Sequence, residues 1–274
     1  MSLTASQGPQ RIVCLTEETT ETLYLLGEED RIVGISGFTV RPARARKEKP
    51  KVSAFTSAKI GRILELEPDL VLGFSDMQAD IAAELIRQGI PVHVFNQRSV
   101  EEILSTICII GALVGRQPDA EALAASLREG LETTRRLASE LPRRPRVYFE
   151  EWDDPQICGI RWVSELIEAA GGEDVCAQRA REPLGSGRII ADPREVIEQR
   201  PDIVVGSWCG KRFRPEKLSA REGWDEVPAV RNGHLYEIKS SLILQPGPAA
   251  LTDGLAALRD IVNGWSGRPG AREV

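Results

Sequence analysis

Short aliphatic runs closed by Gly, Pro or polar residues punctuate the first half of the chain at residues 11–15, 32–35, 70–74 and 92–95. Because they are apolar throughout rather than alternating, they predict strands buried on both faces, as in a mainly parallel sheet covered by helices. Helical patterns fill most of the gaps, so the first half is expected to form an α/β lobe. The second half repeats the scheme, with strands expected at 146–149, 203–205 and 235–238 and a helix over 163–170 ending at Gly171-Gly172.

The two halves share a unit. Residues 63–73, ILELEPDLVLG, match residues 196–206, VIEQRPDIVVG, at a spacing of 133, with nine of eleven positions identical or aliphatic for aliphatic. In each copy a short amphipathic helix cannot continue into Pro68 or Pro201, and the aliphatic run beyond it enters a buried strand. Between the copies, residues 119–141 place Leu123, Leu127, Leu131 and Leu137 or Leu141 at helical spacing along one face. Pro118 and Asp119 suit the start of one long helix, and Pro142 and Pro145 stop it. At 1.5 Å per residue it spans roughly 33 Å and acts as a stiff connector. The expected class is therefore α/β, with two Rossmann-like lobes bridged by a single long α-helix. The expected layout is a disordered N-terminus at 1–10, an N-terminal α/β lobe at 11–117, the connecting helix at 118–142, a C-terminal α/β lobe at 143–266 and a tail at 267–274.

Charge and composition exclude several functions. A net charge of −6 in 274 residues gives no general attraction to nucleic acid or anionic membranes. The one basic run weighed, residues 41–51 (RPARARKEKPK), has no interleaved aromatics and reads as a solvated loop. No window reaches the roughly 20 apolar residues of a membrane span. The opening MSLTASQGPQ lacks the basic and apolar segments of a secretory leader, so the chain as it stands is expected in the cytoplasm. A periplasmic or extracellular place follows if Met1-Ser2-Leu3 replaces a removed leader. Five cysteines without CxxC spacing indicate neither a disulfide framework nor a zinc site, and read as reduced thiols, several of them buried. Of the two histidines, His93 reads as a hydrogen-bonded core residue and His234, beside a Gly turn, as an exposed one; no protein metal site is expected.

In this order and spacing, RIVCLTEETTETLYLLGEEDRIVGIS, ILELEPDLVLG, LIRQGIPVHVFNQRSVEEILSTICIIGALVG and WDEVPAVRNGHLYEI resemble a known family. It is the periplasmic-binding-protein superfamily of the vitamin B12, iron-siderophore and haem type, whose two lobes are joined by one long helix. The segment FEEWDDPQICGIRWVSELIEAAGGEDV is similar to that of leaderless cobalamin-binding members. The resemblance implies a non-enzymatic solute-binding protein that holds a corrinoid or other metal chelate in the cleft between the lobes, for ABC-type uptake or intracellular handling. A ferric siderophore or haem is the alternative cargo. A cytosolic enzyme or sensor reusing the fold is the alternative of another class, since fold alone does not fix function. No cofactor is required, a monomer is expected, and an ABC permease is a possible partner, met through acids such as Asp80, Glu84 or Glu216.

In open α/β sheets ligands approach the carboxyl ends of the strands, which singles out the loops there. From the first lobe they offer Glu17, Phe38, Ser57, Phe74 and Asn96, and from the second Trp152, Arg161, Trp162, Arg188, Trp208 and Lys239. Flat aromatic walls suit a macrocycle, while Arg161, Arg188 and Lys239 are expected to meet carboxylate or phosphate groups. Glu150, Glu151, Asp153 and Asp154 are discounted as a catalytic pair because strand alternation sends neighbours to opposite faces. Gly185-Ser186-Gly187 reads as a plain turn rather than a phosphate loop.

Overall fold

A computed structural model describes residues 8–266, and the chain divides into two compact units. The first holds the chain up to Gln97 with Glu101–Ser126; the second holds Arg98–Val100 and the chain from Leu127 onward.

In the first unit, β1 (Ile12–Cys14), β2 (Ile32–Ser36), β3 (Lys51–Ser53), β4 (Leu70–Phe74) and β5 (Val92–Phe95) form an all-parallel sheet in the order β3-β2-β1-β4-β5. The central strands β1 and β4 are buried along their whole length, as uninterrupted aliphatic runs require. The chain leaves β1 toward β2 and β3, then returns to the other side of β1 for β4, so the order reverses between β1 and β4. In the second unit, β6 (Arg146–Asp153), β9 (Ile203–Gly206) and β10 (Leu235–Glu237) run parallel in the order β10-β9-β6. The far edge of β6 is shared. Its lower half pairs with β8 (Glu173–Asp174) in parallel and its upper half with β7 (Gln156–Cys158) in antiparallel fashion. Here the order reverses between β6 and β9.

The repeated Pro-Asp unit has a structural reason at every shared position. Helices Ile60–Glu65 and Arg194–Glu198 each end ahead of the proline, and the residue directly before it, Glu67 or Arg200, takes a left-handed φ of 46° or 48°. A residue before proline is barred from continuing the helix, and this conformation turns the chain toward the sheet. The aspartate then ties two strands together at their starts. Asp69 Oδ1 accepts from the Arg11 backbone N–H at 2.8 Å while its own N–H donates to the Arg11 carbonyl at 2.9 Å. Asp202 Oδ2 and N–H make the same pair with Arg146, at 2.9 and 2.8 Å. The closing glycines are also equivalent: a Cβ at Gly73 would meet the Gln78 amide oxygen at 2.8 Å, and one at Gly206 the Phe213 ring at 2.0 Å.

Four expectations change. The long helix runs Gln117–Ala138, entering from the first unit and ending in the second. Its buried stripe is Ala120, Ala124, Leu127, Leu131 and Thr134, whereas Leu137 is exposed. Small side chains carry much of the contact face, which a leucine count overlooks. Residues 41–51 are not a free loop: they contain helix Ala45–Glu48 and the start of β3, with Arg41 bonded to Glu21 at 2.8 Å and Arg44 to Glu29 at 2.5 Å. His93 lies half-buried on the edge strand β5, its ring 4.3 Å from Phe95, while His234 is buried with Nδ1 3.1 Å from the Tyr236 hydroxyl. Of the expected disordered start, residues 1–7 lie outside the described residues, as does the tail 267–274. Pro9 and Gln10 are held in place, by Arg31 at 2.9 Å and Asp69 at 2.7 Å.

All five cysteines are free, Cys14 and Cys158 buried and Cys209 exposed. Among the described residues no helix is long and apolar enough to cross a membrane.

Because Asp69 and Asp202 do the same work in the two units, Asp69→Ala and Asp202→Ala are each expected to cost about 1.5–3 kcal/mol, the weight of one charge-assisted hydrogen bond. Denaturant unfolding should show the midpoint lowered in both variants with an unchanged slope.

Candidate functional site

The strand-order reversals place two loop clusters, one on each unit, where open α/β sheets receive ligands.

On the first unit, the loop cluster is organised by Gln78, which lies in the turn after β4 and has no exposed surface. Its amide oxygen accepts from Phe74 N at 2.9 Å, and its amide nitrogen donates to the carbonyls of Phe55 at 2.9 Å and Leu15 at 3.4 Å. One side chain thereby joins the ends of β1, β3 and β4. From β1 the chain passes through Thr16 into helix Glu17–Leu25, whose first turn carries Glu17 and Glu18. Both carboxylates are buried. Glu18 Oε1 accepts from the Thr16 hydroxyl at 2.5 Å, and neither Glu17 Oε2 nor Glu18 Oε2 has a hydrogen-bond partner. Burial pushes the Glu17 carboxyl up to about 8; the charges of Glu18 and Glu21 add to this, and Arg46 and Arg41 oppose it. Burial likewise pushes Glu18 up to about 7 against its bond to Thr16. Around them Phe38 stands 53% exposed, Ser57 and Asn96 are exposed, and Phe74 is buried in its own unit.

On the second unit, the cluster is built on Glu150, 0% exposed in the middle of β6 and paired in register with Gly206 of β9. Arg221 reaches it with both terminal nitrogens, Nη1 to Oε2 at 2.6 Å and Nη2 to Oε1 at 2.9 Å. The Trp208 indole N–H donates to Oε1 at 2.9 Å and the Tyr148 hydroxyl to Oε2 at 3.0 Å. A fully buried carboxylate is tolerable only with such compensation. The consequence is that the loop leaving β9, and the chain beyond it as far as Arg221, is bonded to the strand beside it. Three residues along, Asp153 is bonded by the ammonium groups of Lys211 and, at 2.8 Å, Lys217. Burial alone would raise the Asp153 carboxyl; the two lysines outweigh it and hold the group down at about 2. The Lys211 ammonium also lies 3.9 Å from the Trp152 ring centre and 5.4 Å from that of Trp208. These are cation–π distances. Trp152 is half-buried, with its indole N–H on the Asp154 carbonyl at 2.9 Å.

The expected residues of the second unit therefore separate. Trp152 and Trp208 are brought together around Lys211, with Trp208 contributing from beneath. Trp162 is only 3% exposed, and its indole N–H is spent on the Ile243 carbonyl at 2.9 Å, so it supports the loop cluster instead of walling it. Arg188, expected to meet a ligand anion, is buried and already paired with Glu151 and with the Cys158 carbonyl at 2.6 Å. Arg161 is exposed but bonded to Glu165 at 2.8 Å, and Lys239 is exposed. Glu150, Arg221, Gln78, Asp153, Lys211 and Lys217 organise the clusters and were not singled out as ligand residues. The sequence signal for Glu150 and Asp153 was the acidic run Glu150, Glu151, Asp153 and Asp154 following the apolar VYF of β6, discounted above as a catalytic pair. Among the described residues no group of three or more His, Cys, Asp or Glu is placed to hold a metal ion.

Each of the two α/β units carries a strand-order reversal, and one long helix takes the chain from the first unit into the second. Residues 12–242 match the periplasmic binding protein family, and the chain belongs to that family, whose members bind substrates and are not enzymes. It is similar to a vitamin B12-binding protein of Vibrio parahaemolyticus, 27% identical over 255 residues covering 91% of this chain and 89% of that one. An uncharacterized ABC transporter substrate-binding lipoprotein of Bacillus subtilis is 25% identical over 269 residues, covering 95% and 82%. The solved periplasmic heme binding protein of Pseudomonas aeruginosa shares the fold with a TM-score of 0.80 at 22% identity, covering 97% of this chain and 95% of that one.

Two outcomes follow from the buried carboxylates. Glu150→Ala leaves the Arg221 charge without its partner and is expected to cost about 3–5 kcal/mol, read by chemical denaturation. Glu17 ordinarily titrates near 4.5 and in the folded chain near 8, so between these values the folded state holds the extra proton. Stability should fall as pH rises across that window, and Glu17→Gln should flatten the fall; melting temperatures measured from pH 5 to pH 8.5 check it.

Proposed function

We propose that the chain reversibly binds a corrinoid or a similar metal chelate, without covalent chemistry, as the substrate-binding component of an ABC-type uptake system or in intracellular handling. The observation that carries this reading is similarity along 91% of the chain to a protein that binds vitamin B12. The site chemistry agrees with it. Trp152 and Lys211 combine flat apolar area with positive charge at the sheet position where ligands enter, with Trp208 buried beneath them, and Phe38 offers a second exposed ring on the first unit. A cargo that is flat, bulky and polar at its rim matches such surfaces better than a small hydrophilic solute does.

Catalysis is disfavoured by the same geometry. Glu150 and Asp153, the buried carboxylates of the second unit's loop cluster, are both bonded by cationic partners, Arg221 on the first and Lys211 and Lys217 on the second, and Asp153 is held well below the usual carboxylate range, which removes it as a proton donor. No resident cofactor is needed, because the metal arrives as part of the cargo. A permease is the natural partner, as it is for ABC transporter substrate-binding relatives. The relatives' names place them in a periplasm or on a lipid anchor, and uptake duty for this chain would require the same.

Titration with cyanocobalamin, followed by tryptophan quenching and by the visible spectrum, is expected to give saturable binding at about 1 µM or tighter. Trp152→Ala should weaken it about tenfold through lost ring contact. Failure to bind cobalamin, cobinamide, haem and ferric siderophores alike would rule the reading out.

A further inference from the structure

The loop that leaves β9 is basic in an acidic chain. Residues 210–217, GKRFRPEK, hold four cationic side chains and one acidic one in a protein whose net charge is −6. Anchors and charges interleave along it. Trp208 is bonded to Glu150, the Phe213 ring packs against Trp208 at 5.1 Å with its N–H on Glu237 at 3.0 Å, and Leu218 is buried, whereas Lys211, Arg212, Arg214 and Lys217 are exposed. The side chains of Lys211 and Lys217 keep 39% and 57% of their surface, and the two share a single carboxylate, Asp153, which leaves one positive charge over. The Arg212 and Arg214 guanidinium groups have no hydrogen bond or ion pair within the described residues. Four cations are thus presented by a backbone fixed from beneath, at the strand-order reversal of the second sheet. Preorganised guanidinium and ammonium donors favour phosphate and carboxylate oxygens.

We infer that residues 210–217 are the specificity element of the binding site and recognise an anionic substituent, phosphate or carboxylate, carried on the rim of the cargo, with Arg212 and Arg214 as the residues that contact it. The inference rests on the chelate-binding reading and goes beyond it by separating acid-bearing from acid-free chelates. Ring contact with Trp152 is common to both kinds; the charged contact belongs to one.

The test compares the wild-type chain with the double variant Arg212→Gln/Arg214→Gln, both substitutions lying at exposed positions. The ligands are cyanocobalamin, which carries a phosphodiester, dicyanocobinamide, which lacks it, and haemin, which carries two carboxylates. The double variant is expected to lose about tenfold or more in affinity for whichever acid-bearing chelate the wild type binds, and to stay within about twofold for dicyanocobinamide. Loss with cyanocobalamin assigns the contact to phosphate; loss with haemin assigns it to carboxylate. Raising the salt concentration should weaken the acid-bearing chelate alone. An unchanged affinity, an equal loss for all ligands, or wild-type binding of dicyanocobinamide only would overturn the inference and leave chelate binding standing. A wild-type chain that binds none of the three, nor a ferric siderophore, would overturn both.

Discussion

The second unit is arranged around one carboxylate that has no access to water. Glu150 sits inside a sheet, where an uncompensated charge would cost several kcal/mol, and the chain answers with Arg221, Trp208 and Tyr148. Arg221 lies 71 residues away, so satisfying the charge forces the whole excursion after β9 to return to β6. Such a pair adds little net stability over a well-packed apolar one, but removing either partner would leave the other buried and uncompensated, so the pair holds the excursion against β6. The first unit solves the equivalent problem with a neutral group: Gln78 gathers three loop ends through its amide. Two sheets with related strand order therefore present loop clusters of different electrical character. One holds buried carboxyls that keep their protons near neutrality, and the other an ion pair topped by lysines.

What could be read from the sequence was whatever is enforced locally. Burial on both faces of a strand imposes an aliphatic run, which is why β4 and β5 fall at the residues expected for them. A helix stopped by proline and followed by Asp must recur wherever that turn recurs, so the repeat was visible before its cause. The cause, a reciprocal backbone bond from Asp69 to Arg11 and from Asp202 to Arg146, spans 58 and 56 residues and leaves no periodic trace. β3, β7 and β8 went unseen because KVS, QIC and ED are short and partly polar; neighbouring strands supply their pairing partners, and their own composition does not mark them.

The candidate site was less legible, for a directional reason. Position in the chain locates a residue in a loop but not the side of the loop on which it falls. Trp162 and Trp208 both lie at loop ends, yet each turns its indole N–H inward to a buried acceptor, while Trp152, on the same strand as Glu150, stays partly open. Arg188 and Arg212 look alike in sequence. The first is cancelled by Glu151, 37 residues distant, and the second has no carboxylate to answer it among the described residues.

The same distinction decides which basic segment can act on a ligand. Residues 41–51 hold more cationic side chains than residues 210–217 and were the more conspicuous in the sequence. Folding brings Glu21 and Glu29 onto Arg41 and Arg44, and Arg46 is used on the carbonyls of Gly37 and Thr39, so the three arginines of that segment are spent in holding the first unit's loops. Residues 210–217 fold against an aromatic and aliphatic underside, and among the described residues one carboxylate, Asp153, pairs with their cations. Charge available for recognition is the charge left after internal pairing, and on residues 210–217 the two arginines left over stand on the loop pinned by Glu150, at the strand ends where ligands are received. The buried ion pair that fixes the loop and the exposed cations the loop displays are thus two sides of one arrangement.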